Sequence, residues 1–256
     1  MGTDRINGSI YTNIRGRIAT IEFGHPAGNS FVSEMLGRLA DAFSTLADND
    51  GVSVIILKSE GDRAFCAGAS INELRELSAL DEATAFFNGF ASVVNAMRRC
   101  GKPVLGRIQG KTVGGGVGLV AACDYVFATV AADIRLSELS IGIAPLVIAP
   151  AVERKLGKDG FAALALSPGE WQNAYWAQKC GLYTKVYDKL HDLDKDLGFF
   201  AQTLSAYPIE ALKAIKDVLW EDTGHWDTLL PERAAHTARL SLLPQARASI
   251  VAFKKK

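Results

Sequence analysis

Cysteine is scarce in this chain and never clustered. Cys66, Cys100, Cys123 and Cys180 form no Cys-x-x-Cys pair and no Cys/His group, so a disulfide framework and a structural zinc site both lack support and a reducing compartment fits. Histidine is equally sparse, at positions 25, 191, 225 and 236, and there is no Gly-x-Ser-x-Gly elbow, so serine-hydrolase chemistry has no footing. An excess of one charge is missing too. Lys plus Arg and Asp plus Glu both number 28, which leaves no net field to concentrate a polyanion. The one dense basic run is Lys254-Lys255-Lys256, and no nucleic-acid partner is expected. Only Gly114 to Ala132 is long and apolar enough to suggest a membrane span. It contains Asp124 and opens with glycines, so it reads as a buried helix followed by a strand, with no membrane insertion. The start, Met1 to Ile6, lacks the apolar core of a signal peptide and has Ile6 where a myristoylation motif needs Ser or Thr. A cytoplasmic location is the expectation. Repeats with periods of roughly 20 to 50 residues, low-complexity tracts and linker-like segments are absent as well.

What remains is ordinary globular material. Of 256 residues 48% are hydrophobic and 22% charged, enough to bury a core without metals or disulfides. From Ile10 to Phe23 apolar residues alternate on both sides of Arg15-Gly16, which predicts a strand hairpin. Ser33 is placed to cap a helix with Met35, Leu36, Leu39, Ala40, Phe43 and Leu46 on one face. Asp50-Gly51 stops it before the apolar run Val52 to Leu57. Asp81 opens a longer helix with the stripe Phe86, Phe87, Phe90, Val93, Val94 and Met97, ended by Gly101 and Pro103, after which Val104 to Ile108 reads as a strand. Gly114 to Ala122 looks helical and Tyr125 to Ala128 extended. Beyond Pro150 strand signals nearly vanish, and Lys158 to Leu166, Glu170 to Lys179, Leu190 to Tyr207, Ile209 to Trp220 and Trp226 to Leu242 carry helical periodicity, with Pro208 and Pro231 as helix starts. The pattern is an α/β layer body packed against a helical region.

Two familiar phosphate motifs fail on spacing. Gly106 to Thr112 resembles a P-loop but has three residues between its glycines instead of four, and Gly114 to Gly118 does not form Gly-x-Gly-x-x-Gly. More informative are two turns of small residues, Phe65 to Ile71 and Gly110 to Gly116, each joining a predicted strand to a helix. Small residues let a ligand approach the backbone, and N–H groups at a helix start point outward with the positive end of the dipole. Two such turns can form an oxyanion hole; for either turn alone, glycine serving only close packing is an equal alternative.

Arg63-Ala64-Phe65-Cys66-Ala67-Gly68-Ala69-Ser70-Ile71-Asn72-Glu73-Leu74, then Lys102-Pro103-Val104, Gln109-Gly110, Gly114-Gly115-Gly116 and Cys123-Asp124-Tyr125, resemble in order the signature of the crotonase (enoyl-CoA hydratase/isomerase) family. Leu136-Ser137-Glu138 followed by Gly142-Ile143-Ala144-Pro145 resembles the family's next segment, and the similarity covers roughly residues 10 to 190, more diffusely to the end. The resemblance implies an α/β fold, a crotonase-type ββα spiral followed by a C-terminal helical trimerisation region. Residues 1–190 would form the core with the acyl-CoA site and 191–256 the trimerisation region, in a homotrimer or a dimer of trimers. It places the oxyanion-hole N–H groups at Ala69 and Gly115, and CoA contacts along Ala67, Ala69, Ser70, Ile71 and Asn72 with Gly115. Arg63 and the C-terminal lysines are the candidates for meeting the CoA phosphates. No metal or redox cofactor is implied, because coenzyme A is part of the substrate. The chemistry agrees: enolate formation or hydration builds negative charge on the thioester oxygen, and losing one oxyanion donor typically costs about 2.7 to 4 kcal/mol.

One departure matters. Hydratases of this family usually carry two glutamates twenty positions apart, which fall here at Gly118 and Glu138. A single carboxylate near C2 and C4 suits a Δ3,Δ2-enoyl-CoA isomerase, whose pattern this resembles. Ala67 to Ser70 and Trp171 to Trp176 are also similar to bacterial chains assigned as enoyl-CoA or methylglutaconyl-CoA hydratases. The expectation is therefore hydration or isomerisation through an enolate held by Ala69 and Gly115, with Glu138 as acid/base. Decarboxylation or thioester hydrolysis, or an inactive acyl-CoA-binding protein, are the alternatives. Taken alone, Glu138 reads as a surface glutamate beside a strand. Pro145 to Pro150, bulky and apolar where relatives commonly have glycines, either shapes a compact acyl pocket or belongs to the core.

Overall fold

The structure, a computed structural model, describes residues 8–253. The hairpin is formed by β1 (Ser9–Arg15) and β2 (Ile18–Gly24), paired antiparallel with Arg15 opposite Ile18. Next come α1 (Ser33–Ala47), β3 (Val54–Ser59), α2 (Ile71–Glu76) and α3 (Leu80–Arg99), then β4 (Val104–Ile108), β5 (Thr112–Val113), α4 (Gly115–Ala122), β6 (Tyr125–Thr129) and β7 (Ile134–Arg135). The remainder is α5 (Ala149–Ala165), α6 (Ala174–Lys179), β8 (Lys185–Tyr187), α7 (Leu190–Ser205), α8 (Ile209–Leu219), α9 (Trp226–Ser241) and α10 (Pro244–Ala252). The main sheet runs β1-β2-β3-β4-β6-β8, parallel from β2 onward. Its central parallel strands β3, β4 and β6 are largely buried, which is why they read as short apolar runs. β5 and β7 make a second, small sheet. Isolated bridges extend it on both sides, from Phe31 with Ala69 and Cys66 with Thr112 to Ile134 with Gln172.

Several local expectations are corrected. Ser33 is not the cap of α1: Val32 holds that position without a side-chain hydrogen bond, and Ser33 instead binds Glu73, its N–H at 2.9 Å from Oε2 and its hydroxyl on Oε1. The start of α3 is tied by Glu82, whose carboxylate accepts the N–H groups of Ser78 (3.1 Å) and Ala79 (3.2 Å), and not by Asp81. The helix expected from Lys158 begins there, after non-helical Gly157, where φ is 70°; an unexpected helical segment from Ala149, with Pro150 in its first turn, precedes it within α5. Pro231 lies inside α9. That helix starts at Trp226, where its periodicity begins; buried Trp226 packs edge-on against Trp220, ring centroids 5.7 Å apart, and the packing outweighs the one backbone hydrogen bond that proline forfeits. β8 and α10 have no counterpart in the periodicity.

The change in secondary structure near residue 190 does not divide the core. Val54, Leu105 and Phe127 of the sheet are buried with Leu193, Leu197 and Leu212 of α7 and α8, and the larger core includes Trp226, Leu230, Ala238 and Ile250. A buried polar knot joins the same two regions. Asp124, which precedes β6, accepts the Val104 N–H, Lys216 Nζ and Trp220 Nε1, each at 2.7 Å. Among the described residues no helix is long and apolar enough to cross a membrane.

Candidate active site

The segment between β3 and α2 sets the first donor. Phe31 donates its N–H to Gly68 O and accepts the Ser70 N–H, both at 2.8 Å. Alternation along an extended segment then turns the Ala69 N–H to the opposite edge. That edge is the one along which Cys66 bridges to Thr112 of β5. β5 runs into Gly114, whose φ of 55° favours glycine and whose N–H is taken by Arg135 O at 2.9 Å. α4 then begins at Gly115, and the first N–H of a helix has no partner inside it. Among the described residues neither Ala69 N–H nor Gly115 N–H has an acceptor. Glycine at 115 also serves packing, because a methyl group there would overlap the Phe90 ring and stand 2.8 Å from its Cζ. Close packing is therefore one reason for glycine at 115, and the same residue leaves an N–H without an acceptor.

Glu138 follows β7 and opens a 3-10 helix, Glu138–Ile141, closed by Gly142 in the left-handed region, with Ile143 N–H returning to Glu138 O at 3.1 Å. This turn tucks the carboxylate beneath the Gly114 backbone: a methyl group on Gly114 would stand 2.8 Å from Glu138 Oε1. The surface reading of Glu138 is corrected, for Oε2 is buried and has no hydrogen-bond partner. Burial pushes its carboxyl up to about 7, against a partial offset from the backbone N–H groups of Glu138 and Ser137. An acid poised there exchanges a proton at neutral pH with little penalty in either direction.

These groups face a cavity of about 560 Å³ in which Glu138 is the one carboxylate among the lining residues. Gly118, one turn into α4, is closed off by Ile148, whose Cβ would lie 2.5 Å from a methyl group at 118. Pro145, Leu146, Val147 and Ile148 line the cavity, so the apolar stretch shapes the pocket. Ala67, Ser70, Ile71 and Asn72 line it too, with Ser70 capping α2 through the Glu73 N–H at 3.3 Å. Thr237 of α9 and Phe253 complete the wall from the C-terminal region. Arg63 does not line the cavity; it sits exposed on the turn before Phe65. Lys254, Lys255 and Lys256 lie outside the described residues. Arg135, which does line the cavity, carried no sequence signal, since a lone arginine in a short strand looks like a solvated charge.

A spiral of this topology is the crotonase fold. An enoyl-CoA hydratase from Bacillus halodurans superposes with a TM-score of 0.89 over 95% of this chain and 99% of its own, at 19% identity. The chain belongs to the enoyl-CoA hydratase/isomerase family, whose model matches residues 13–254. It is 27% identical over 213 residues to a probable enoyl-CoA hydratase of Rhizobium meliloti (82% of this chain, 80% of the relative). It is 28% identical over 190 residues to the peroxisomal Delta(3,5)-Delta(2,4)-dienoyl-CoA isomerase of Arabidopsis thaliana (70% and 68%).

Proposed function

We propose that this protein is an enzyme acting on the C=C bond of an acyl-CoA thioester, with Glu138 as its acid/base and the N–H groups of Ala69 and Gly115 as its oxyanion hole. The observation that carries the reading is the single carboxylate of Glu138, its Oε2 buried without a hydrogen-bond partner, beside two unclaimed backbone donors, with position 118 filled by Ile148. One carboxylate suffices for isomerisation. Ionised Glu138 takes a proton from C2 of a 3-enoyl thioester; the electron pair moves onto the thioester oxygen, where the two N–H groups meet it. Protonated Glu138 then returns the proton to C4, the double bond lies between C2 and C3, and nothing is gained or lost. A carboxyl poised near 7 is available in both forms for these two steps. Each donor aimed at the developing oxyanion supplies roughly 2.7 to 4 kcal/mol, about a hundredfold to a thousandfold in rate.

Hydration is the second reading, favoured by the name of the Rhizobium meliloti relative. Glu138 would then take a proton from water as it attacks C3 and hand that proton to C2. CoA is assigned to the Ala67–Asn72 edge. A homotrimer, or a dimer of trimers, is inferred for the assembly. The exposed apolar residues Phe199, Ile215, Val218 and Leu219 on α7 and α8 support self-association, which the mass in solution by light scattering tests.

The deciding experiment offers short, branched and long 2-enoyl and 3-enoyl-CoA thioesters to the purified protein and follows products by mass. A moved double bond at constant mass supports the isomerase, and a gain of one water the hydratase. Loss of carbon dioxide or release of free CoA would replace both, and CoA binding with no product across the panel would overturn the enzymatic reading.

A further inference from the structure

Among the described residues lining the cavity, Arg135 is the one cation. Arginines away from the cavity have partners: Arg98 pairs with Asp227, Arg107 holds Asp194 through two bonds of 2.6 and 2.9 Å, and Arg247 donates to the Leu74 and Arg75 carbonyls, while Arg154, also stacked on a tryptophan and with Nε and Nη2 unpartnered, donates Nη1 to the Leu219 carbonyl and does not line this cavity. Arg135 has no ion pair among the described residues, and its Nε is buried without a hydrogen-bond partner. Its guanidinium lies over the Trp171 ring, 4.4 Å from the centroid, and the residue lines the cavity wall. A buried guanidinium donor without an acceptor is costly, and a carboxylate is the group whose geometry matches its fork.

The strand order says which part of a ligand would meet it. The Cys66–Ala69 segment, β5 and β7 lie side by side in that sequence. With adjacent strands about 4.8 Å apart, Arg135 stands about 10 Å across from the Ala67–Ala69 edge, with Gly114 and Gly115 between them. Given the assignment of CoA to that edge and the thioester to Ala69 and Gly115, on which this inference rests, Arg135 is on the acyl side. We propose that Arg135 reads the far end of the acyl group, and that the substrate is a short enoyl-CoA bearing a second, terminal carboxylate. The apolar wall of Leu146, Val147 and Ile148 leaves that anion no other cationic partner in the cavity.

The test compares thioesters that differ only in that carboxylate: crotonyl-CoA against glutaconyl-CoA for turnover, and butyryl-CoA against glutaryl-CoA for binding. The wild-type protein should favour the carboxylate-bearing member of each pair at least tenfold, in kcat/KM and in Kd. In Arg135→Gln that preference should fall roughly tenfold to a hundredfold, and Arg135→Lys should keep part of it. Thermal melting confirms that the variants are folded. A wild-type preference at or below unity, or the same preference in Arg135→Gln, overturns the proposal. If neither enoyl thioester is turned over, the catalytic reading has failed, while the glutaryl-to-butyryl binding ratio still decides the role of Arg135.

Discussion

Replacing Glu138 by Gln should stabilise this protein, by an amount that grows with pH. The carboxyl titrates at 4.5 in an ordinary setting and at about 7 in the fold, because burial penalises its charged form. Below pH 4.5 it is protonated in the folded and unfolded chain alike and there is no penalty. Between 4.5 and 7 the unfolded chain releases the proton while the folded chain keeps it, so stability falls as pH rises; above 7 both are ionised and the loss is complete. The gap from 4.5 to about 7, at about 1.36 kcal/mol per pH unit, amounts to about 3 kcal/mol. For a chain of this length that is a difference in Tm of about 6 to 12 °C. Gln carries no charge at any of these pH values, so the variant escapes the decline. The assay is thermal melting of both proteins at pH 5, 6, 7 and 8. The amide's own packing shifts all four differences alike, so the informative quantity is their widening from pH 5 to pH 8. A difference in Tm that stays flat over that range would refute the reasoning, since the carboxylate would then ionise at its ordinary value and be no poised acid/base.

The proposed role of Glu138 predicts the rate profile as well. With Glu138 as the base, kcat/KM should climb through an acidic limb with an apparent pKa near 7, and Glu138→Gln should abolish turnover while butyryl-CoA binding, measured by calorimetry, is retained. Gly118→Ala should destabilise by about 1 to 3 kcal/mol in urea unfolding through its overlap with Ile148, and the loss should shrink when Ile148→Ala is added to it. Asp124→Asn should cost about 3 to 5 kcal/mol by the same measure, because it strips the counter-charge from Lys216, which is 1% exposed.

Much of this was legible because the proposed chemistry uses backbone donors. Backbone donors are approached most closely where side chains are small, so the turns around Ala69 and Gly115 stand out, whereas Glu138 was marked by the family resemblance of Leu136-Ser137-Glu138 and taken alone looked like a surface residue. The vacancy at Gly118 was equally visible, but its filler was not: Ile148 is remote in sequence and meets Gly118 only once α5 packs on α4. β8 was missed because a strand of three half-buried residues shows no alternation, and it exists through pairing with β6. The periodicity located the start of α9 at Trp226, while the rule that puts proline at a helix start failed for Pro231, which lies inside a helix held by a buried tryptophan. Arg135 was unreadable for a different reason, since what sets it apart is the acceptor it lacks.

Gly118 and Ile148 bind each other's history. A glutamate introduced at 118 meets Ile148 head-on, while trimming Ile148 first opens a void costing about 2 to 5 kcal/mol in a protein whose margin is typically 5 to 15. Either single substitution leads downhill, and only the pair together reaches a pocket with two carboxylates. Drift can therefore remodel the cavity around Glu138 in many ways while the one-carboxylate state persists, held by epistasis between two apolar contacts.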